Sequence, residues 1–169
     1  MSISMYDASV PALLHTLENL KVILQKAVKH AETRKFDPNV LVGVRLAPDM
    51  LPFSKQIQIA SDAAKLGVAR LTGTEAPKFE DTETTMEQLI ARVDKTISYL
   101  RGVDPKQFEG AETRMVTIAV PSRSFTFPGL TYLRHWVQPN FFFHVTTAYA
   151  LLRHNGVDIG KADYLGNVT

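Results

Sequence analysis

The sequence contains no cysteine. That excludes disulfides, Cys-ligated zinc, iron–sulfur clusters and a cysteine nucleophile, and it fits a cytosolic protein. No run approaches the roughly 20 apolar residues of a membrane span. The opening MSISMYDASVPALL has neither a basic n-region nor a continuous apolar stretch, so no secretory signal is expected. An excess of one charge is lacking too. Nineteen Lys and Arg stand among 17 Asp and Glu, interspersed, for a net charge of +2. Without a basic block, nucleic acid is not an expected partner. Nor is there a nucleophile elbow, a phosphate loop, an H-E-x-x-H or a dinucleotide fingerprint. Repeats, low-complexity tracts and linkers are absent, and 169 residues suit one domain spanning 1–169. A soluble, cytoplasmic protein is the expectation.

What the chain does have is apolar residues at helical spacing. The first pattern runs from about Tyr6 to Ala31, with Val10, Leu13, Leu17, Leu20, Leu24 and Ala27 stepping by three and four. Pro11 lies in its first turns, which places the start at Ser9 as N-cap. The second runs from about Asp49 to Leu71, its stripe Phe53, Ile57, Ala60, Ala64, Gly67 and Leu71. Gln58, Ser61, Asp62 and Lys65 form its polar side, and Gly73 suits a C-cap. The third runs from about Thr85 to Arg101, opened by a capping box of Thr84 and Glu87 and closed by Gly102 and Pro105.

The period then changes to two. Across ETRMVTIAVPSRSFTFPG (112–129), Val116, Ile118 and Val120 alternate with Met115, Thr117 and Ala119, and a second alternating run follows Pro121-Ser122. This predicts a small β-hairpin, which must lean on something larger to be stable. The last helical pattern starts near Gly129 and runs to about His154, with a kink or break expected at Pro139. The tail after Gly156 is polar, and Tyr164 and Leu165 are placed to fold back. Several long amphipathic segments must bury their stripes against one another, so the fold class is all-α, a four-helix bundle with a hairpin before the last helix.

In PNFFFHVTTAYALLRHNG (139–156), three phenylalanines run straight into His144. His144 shares a helix face with Asn140, one turn away, and with small Ala148. Gln56 sits on an otherwise apolar or small face of the second helix. Where those faces meet, Asn140, His144 and Gln56 converge. The trio is open to two roles. It can satisfy itself and fix helix register, or it can line a pocket for a small molecule or a metal, since bundle interiors are where such sites are built. Zinc needs three or four strong ligands, and here only His144 is one. His135, beside Trp136, is a candidate for the pocket mouth. His15, His30 and His154 are expected in solvent or at a helix end, and the FFF run in the core or at a dimer face.

Three blocks, LAPDMLPFSKQIQIASDAAK (46–65), QPNFFFHVTTAYALLRHNGV (138–157) and GKADYLG (160–166), resemble the DinB/YfiT-like superfamily, most nearly a branch known only as a domain of unknown function. The resemblance spans essentially the whole chain. It implies an up-down-down-up bundle with a long crossover and a homodimer. In metal-binding members it implies a divalent metal such as zinc or nickel, held by one His on the second helix and an H-x-x-x-H pair on the fourth. Relative to Arg153 that pair falls on Asn140 and His144, and the second-helix ligand falls near Gln56. Only His144 is kept, so the triad is incomplete. The converging polar residues and the incomplete triad together give the expectation of an uncharacterised, small-molecule-binding bundle. The alternatives are a metal-dependent thiol transferase or hydrolase-like enzyme, as in metal-binding relatives, and a structural or interaction protein without a ligand.

Overall fold

The computed structural model describes residues 3–120 and 123–167. The first stripe becomes α1 (Val10–Arg34), with Pro11 in its first turn. Leu13, Leu17, Leu20 and Leu24 are essentially inaccessible. Burial of each such side chain is worth about 1.5–3 kcal/mol. Ser9 stands at the N-cap position but does not cap; its hydroxyl donates back to the Met5 carbonyl at 2.6 Å. A 3-10 turn (Pro38–Gly43) leads to α2 (Phe53–Thr72), which starts after Pro52 rather than near Asp49. Gly73 ends it with φ +70°, the left-handed turn glycine accepts without strain. The third helix, α3, spans Met86–Arg101. Its capping box is one residue later than the sequence suggested: Thr85 and Gln88 exchange the two hydrogen bonds, not Thr84 and Glu87.

Side-chain pairs fix the helix directions. Arg101 meets Glu18 and Asp94 meets Lys21, so α1 and α3 are antiparallel. The start of α3 is tied to the turn before α2, because the Met86 N–H donates to the Asn39 side chain, and Arg92 lies against Gln58 and Asp62. Helices α2 and α3 are therefore parallel. The connection between them, residues 73–85, must run the length of the bundle.

The hairpin forms as expected. Strand β1 (Met115–Val120) pairs antiparallel with β2 (Arg123–Pro128), with Val116 opposite Phe127 and Ile118 opposite Phe125. Val116 and Ile118 are buried. Phe125 and Phe127 pack on Trp136, centroids 5.7 and 6.3 Å away. The expected break at Pro121-Ser122 lies outside the described residues.

The last pattern is not simply kinked. It is a short α4 (Gly129–Tyr132), a π-helical turn (Leu133–Val137), then α5 (Gln138–His154), with Pro139 in the first turn of α5. Proline supplies no N–H, and its ring crowds the carbonyl four residues back. The chain absorbs this by widening one turn, so that the Gln138 N–H reaches the Leu133 carbonyl. Helix α5 runs antiparallel to α2, with His144 opposite Gln56 and Tyr132 opposite Arg70. Its start is tied to the start of α1 by Gln138, which donates to the Ala8 carbonyl. The bundle is up-down-down-up. A final turn, α6 (Lys161–Leu165), folds back on α1, where Asn19 and His15 hold the carbonyls of Tyr164 and Leu165.

Candidate functional site

Helices α2 and α5 meet where the sequence placed two polar side chains on apolar stripes. His144 Nδ1 lies 2.7 Å from Gln56 Oε1, and both residues are buried. The orientation of the amide is fixed from its other end, because Gln56 Nε2 donates to the Leu51 carbonyl at 2.9 Å. Its oxygen therefore faces the imidazole. Only an Nδ1–H can donate to that oxygen, so His144 is the Nδ1–H tautomer and Nε2 keeps its lone pair. Burial pushes the imidazole pKa below its ordinary value, which keeps the ring neutral. The third residue of the predicted trio does not join this pair.

Asn140, one turn toward the α5 N-terminus, is half-buried on the wall of a cavity of about 200 Å³ between α2 and the α4–α5 segment. In an antiparallel pair, one turn along α5 moves the contact level by about 5.4 Å. That puts Asn140 beside Ile59 and Ala63 instead of Gln56. The rest of the wall is Leu66, Trp136 and Val137, with Asp62, Arg70 and Tyr132 as its further polar members. Val137 reaches the cavity because residue 67 is glycine; a Cβ there would stand 2.6 Å from Val137 Cγ1. The π turn sets Trp136 and Val137 toward this wall while His135 is exposed and outside it.

Sequence reasoning missed a second polar centre. Arg92 on α3 is 2% exposed, and Gln58, Ser61 and Lys65, assigned to the solvated side of α2, are buried as well. The 73–85 connection covers them. Arg92 meets Asp62 at 3.1 Å, Asp81 at 3.0 Å and Glu83 at 3.0 Å, and donates to the Glu80 carbonyl. Lys65 pairs with Asp62 at 2.9 Å and lies over the Phe79 ring. Burial alone would raise the pKa values of Asp81 and Glu83. For Asp81, Lys55 and Arg92 more than offset it; for Glu83, hydrogen bonds from Arg92 and Gln58 do. Both carboxylates are held below their usual range. The available signal was Asp81 and Glu83, two residues apart just after Phe79, in a connection otherwise lacking apolar period.

The remaining candidates have structural work. His15 is half-buried at the tail, 2.6 Å from the Leu165 carbonyl. His30 packs edge-on to Phe36, and His154 is exposed at the end of α5. The FFF run divides: Phe141 is buried, Phe142 half-buried, and Phe143 57% exposed in an outward apolar patch with Leu46, Pro139 and Ala150.

The donor set does not fit a zinc or nickel centre. At the positions to which the resemblance pointed stand one imidazole, one amide whose oxygen is engaged by that imidazole, and one amide on the cavity wall. Among the described residues, no three His, Cys, Asp or Glu side chains are grouped to hold a metal. None of the helices described is long and apolar enough to cross a membrane.

Comparison with known proteins agrees with the fold. The family described as "Domain of unknown function (DUF1993)" matches residues 5–165. The crystal structure of a DinB family member protein from Shewanella denitrificans is 43% identical, covering 97% of this chain and 93% of that chain, with a TM-score of 0.88. No curated protein matches the chain.

Proposed function

We propose, for a chain that belongs to the DUF1993 family and has a DinB-like fold, that it is a small-molecule-binding bundle whose metal triad is incomplete. The ligand occupies the cavity between α2 and α4–α5. Asn140 contributes to the wall, and the His144–Gln56 pair fixes the two helices one turn away. The observation that carries this is a small, mostly apolar cavity into which a few polar groups project from both facing segments, the usual composition of a ligand pocket. The π turn beside it is a second support, because such turns persist where they position side chains for use. At about 200 Å³ the cavity is below the usual range for drug-sized ligands, so its ligand is small.

The test is a thermal-shift screen of small organic acids, amines, alcohols and amides on wild type and Ala63→Leu. Leucine at 63 takes up part of the cavity from a wall position outside the His144–Gln56 pair. At least one class raises the wild-type melting temperature and leaves Ala63→Leu unmoved. Equal shifts in both proteins, or none in either, contradict the proposal. The homodimer implied by the resemblance belongs to the same proposal, with the patch around Phe143 as its face. Sedimentation equilibrium of wild type and Phe143→Glu tests it, and a wild-type monomer rejects it.

A further inference from the structure

The two ends of the cavity differ. At one end Arg70 Nη1 donates to Tyr132 Oη at 3.1 Å, and Arg70 forms no ion pair among the described residues. Its remaining N–H groups have no protein acceptor there either. Tyr132 is 1% exposed. Its oxygen accepts from Arg70, so its own proton must be donated elsewhere, and no described residue accepts it. Burial raises the phenol pKa, which keeps that proton in place. A guanidinium and a buried hydroxyl thus both offer donors at one end of a cavity.

The other end is electrically quiet. Asp62 is eight residues along α2, about 12 Å away by helix rise. Its Oδ1 is shared by Lys65 at 2.9 Å and Arg92 at 3.1 Å, so its charge is already compensated. Arg70 is left as the uncompensated charge on the wall, and the cavity is a site for an anion. Between the ends lie Ala63, Leu66 and Val137, which are apolar, with the Trp136 ring and the uncharged Asn140 amide, so no second charge stands on this part of the wall. One guanidinium and one hydroxyl match the two oxygens of a carboxylate, which takes planar, paired donors well. A phosphate dianion would leave one charge unmatched in this apolar surround.

Resting on the cavity reading above, we propose that the Arg70–Tyr132 end binds the carboxylate of a small organic acid whose apolar body lies against Leu66 and Trp136. Trp136 is the only tryptophan of the chain, so its fluorescence reports the occupied cavity directly.

The experiment titrates acid and amide pairs of increasing size (acetate and acetamide, benzoate and benzamide, 3-phenylpropanoate and its amide) and inorganic phosphate into wild type, Arg70→Gln, Arg70→Lys, Tyr132→Phe and Ala63→Leu. Far-UV circular dichroism and melting confirm that each variant is folded. At least one acid changes Trp136 emission in wild type and binds tenfold or more tightly than its amide. Arg70→Gln weakens that acid at least tenfold, Tyr132→Phe several-fold, and Arg70→Lys less than Arg70→Gln. Equal binding of acid and amide, both abolished by Ala63→Leu, overturns the carboxylate assignment while the cavity reading survives. Indifference of the acid to Arg70→Gln does the same. Phosphate binding as tightly as the best acid, with the same dependence on Arg70, overturns it in favour of a phosphate site. No response to any acid overturns it outright, and failure of the wider screen would remove the cavity reading as well.

Discussion

His144 donates its Nδ1 proton to the side-chain oxygen of Gln56 across 2.7 Å, joining α5 to α2. Gln56 passes the connection on to the Leu51 carbonyl just before α2. Breaking one half of this chain leaves a buried donor without an acceptor. Gln56→Leu is expected to cost about 1–3 kcal/mol in urea unfolding. Replacing both, as Gln56→Leu with His144→Leu, is expected to recover part of that loss, because no orphaned donor remains. A double-mutant cycle with no coupling would show that the pair is not a unit.

Acid acts on the fold in two stages. The folded-state pKa of His144 lies below its unfolded value. Below about 6.5 the unfolded chain therefore binds the extra proton, and stability is lost as pH falls from there toward the folded pKa. Asp81 and Glu83 also have depressed values. Their contribution is present above roughly pH 4.3 and disappears as pH falls through their folded values. The unfolding midpoint followed from pH 8 to pH 3 should decline in both windows. His144→Leu removes the upper decline alone, and an unchanged upper decline would exclude His144 as its source.

Arg92 holds the 73–85 connection down through Asp81 and Glu83. Arg92→Met is expected to cost about 3 kcal/mol, at the low end for breaking a buried charge cluster. Asp62 and Asp81 are exposed enough, at 34% and 44%, to recover water. Amide hydrogen exchange should accelerate across residues 73–85 more than elsewhere. Uniform acceleration along the chain would mean that Arg92 supports the whole bundle instead of this segment.

Gly67 lets the π turn approach α2. In Gly67→Ala the new Cβ would meet Val137 Cγ1 at 2.6 Å. Overpacking costs about 1–3 kcal/mol, offset by about 1 kcal/mol of better helix propensity. A net loss near 1 kcal/mol is expected, together with a changed Trp136 emission as the turn is pushed outward. A stabilised variant with unaltered emission would show that Val137 moves aside freely.

The stripes of α1, α2, α3 and α5 were legible because core burial selects apolar residues at helical spacing. The hairpin was legible because Val116 and Ile118 alternate with exposed neighbours. The meeting of Gln56 and His144 followed from the same stripes, since each was the polar exception on its face. Other features depend on what lies opposite. Gln58, Ser61 and Lys65 look solvated in one dimension, and only the fold lays residues 73–85 over them. Thr84 and Thr85 each have an acid or amide three residues on, so the pattern fits either, and the true N-cap depends on where α3 docks. Pro139 announced an irregularity, but its form, a widened π turn with Val137 against Gly67, is set in three dimensions and not by spacing. The Arg70–Tyr132 contact joins residues 62 positions apart and has no signature in spacing.

The most direct test of a metal-independent, ligand-binding bundle is calorimetric titration of the best small-molecule ligand into wild-type protein, once in excess EDTA and once with stoichiometric zinc or nickel, repeated on Ala63→Leu and His144→Ala. Binding of equal strength in EDTA and in metal, abolished by Ala63→Leu and retained by folded His144→Ala, is the predicted result. Binding that occurs only with added metal and vanishes in His144→Ala would contradict the account and return the site to a metal centre built on His144.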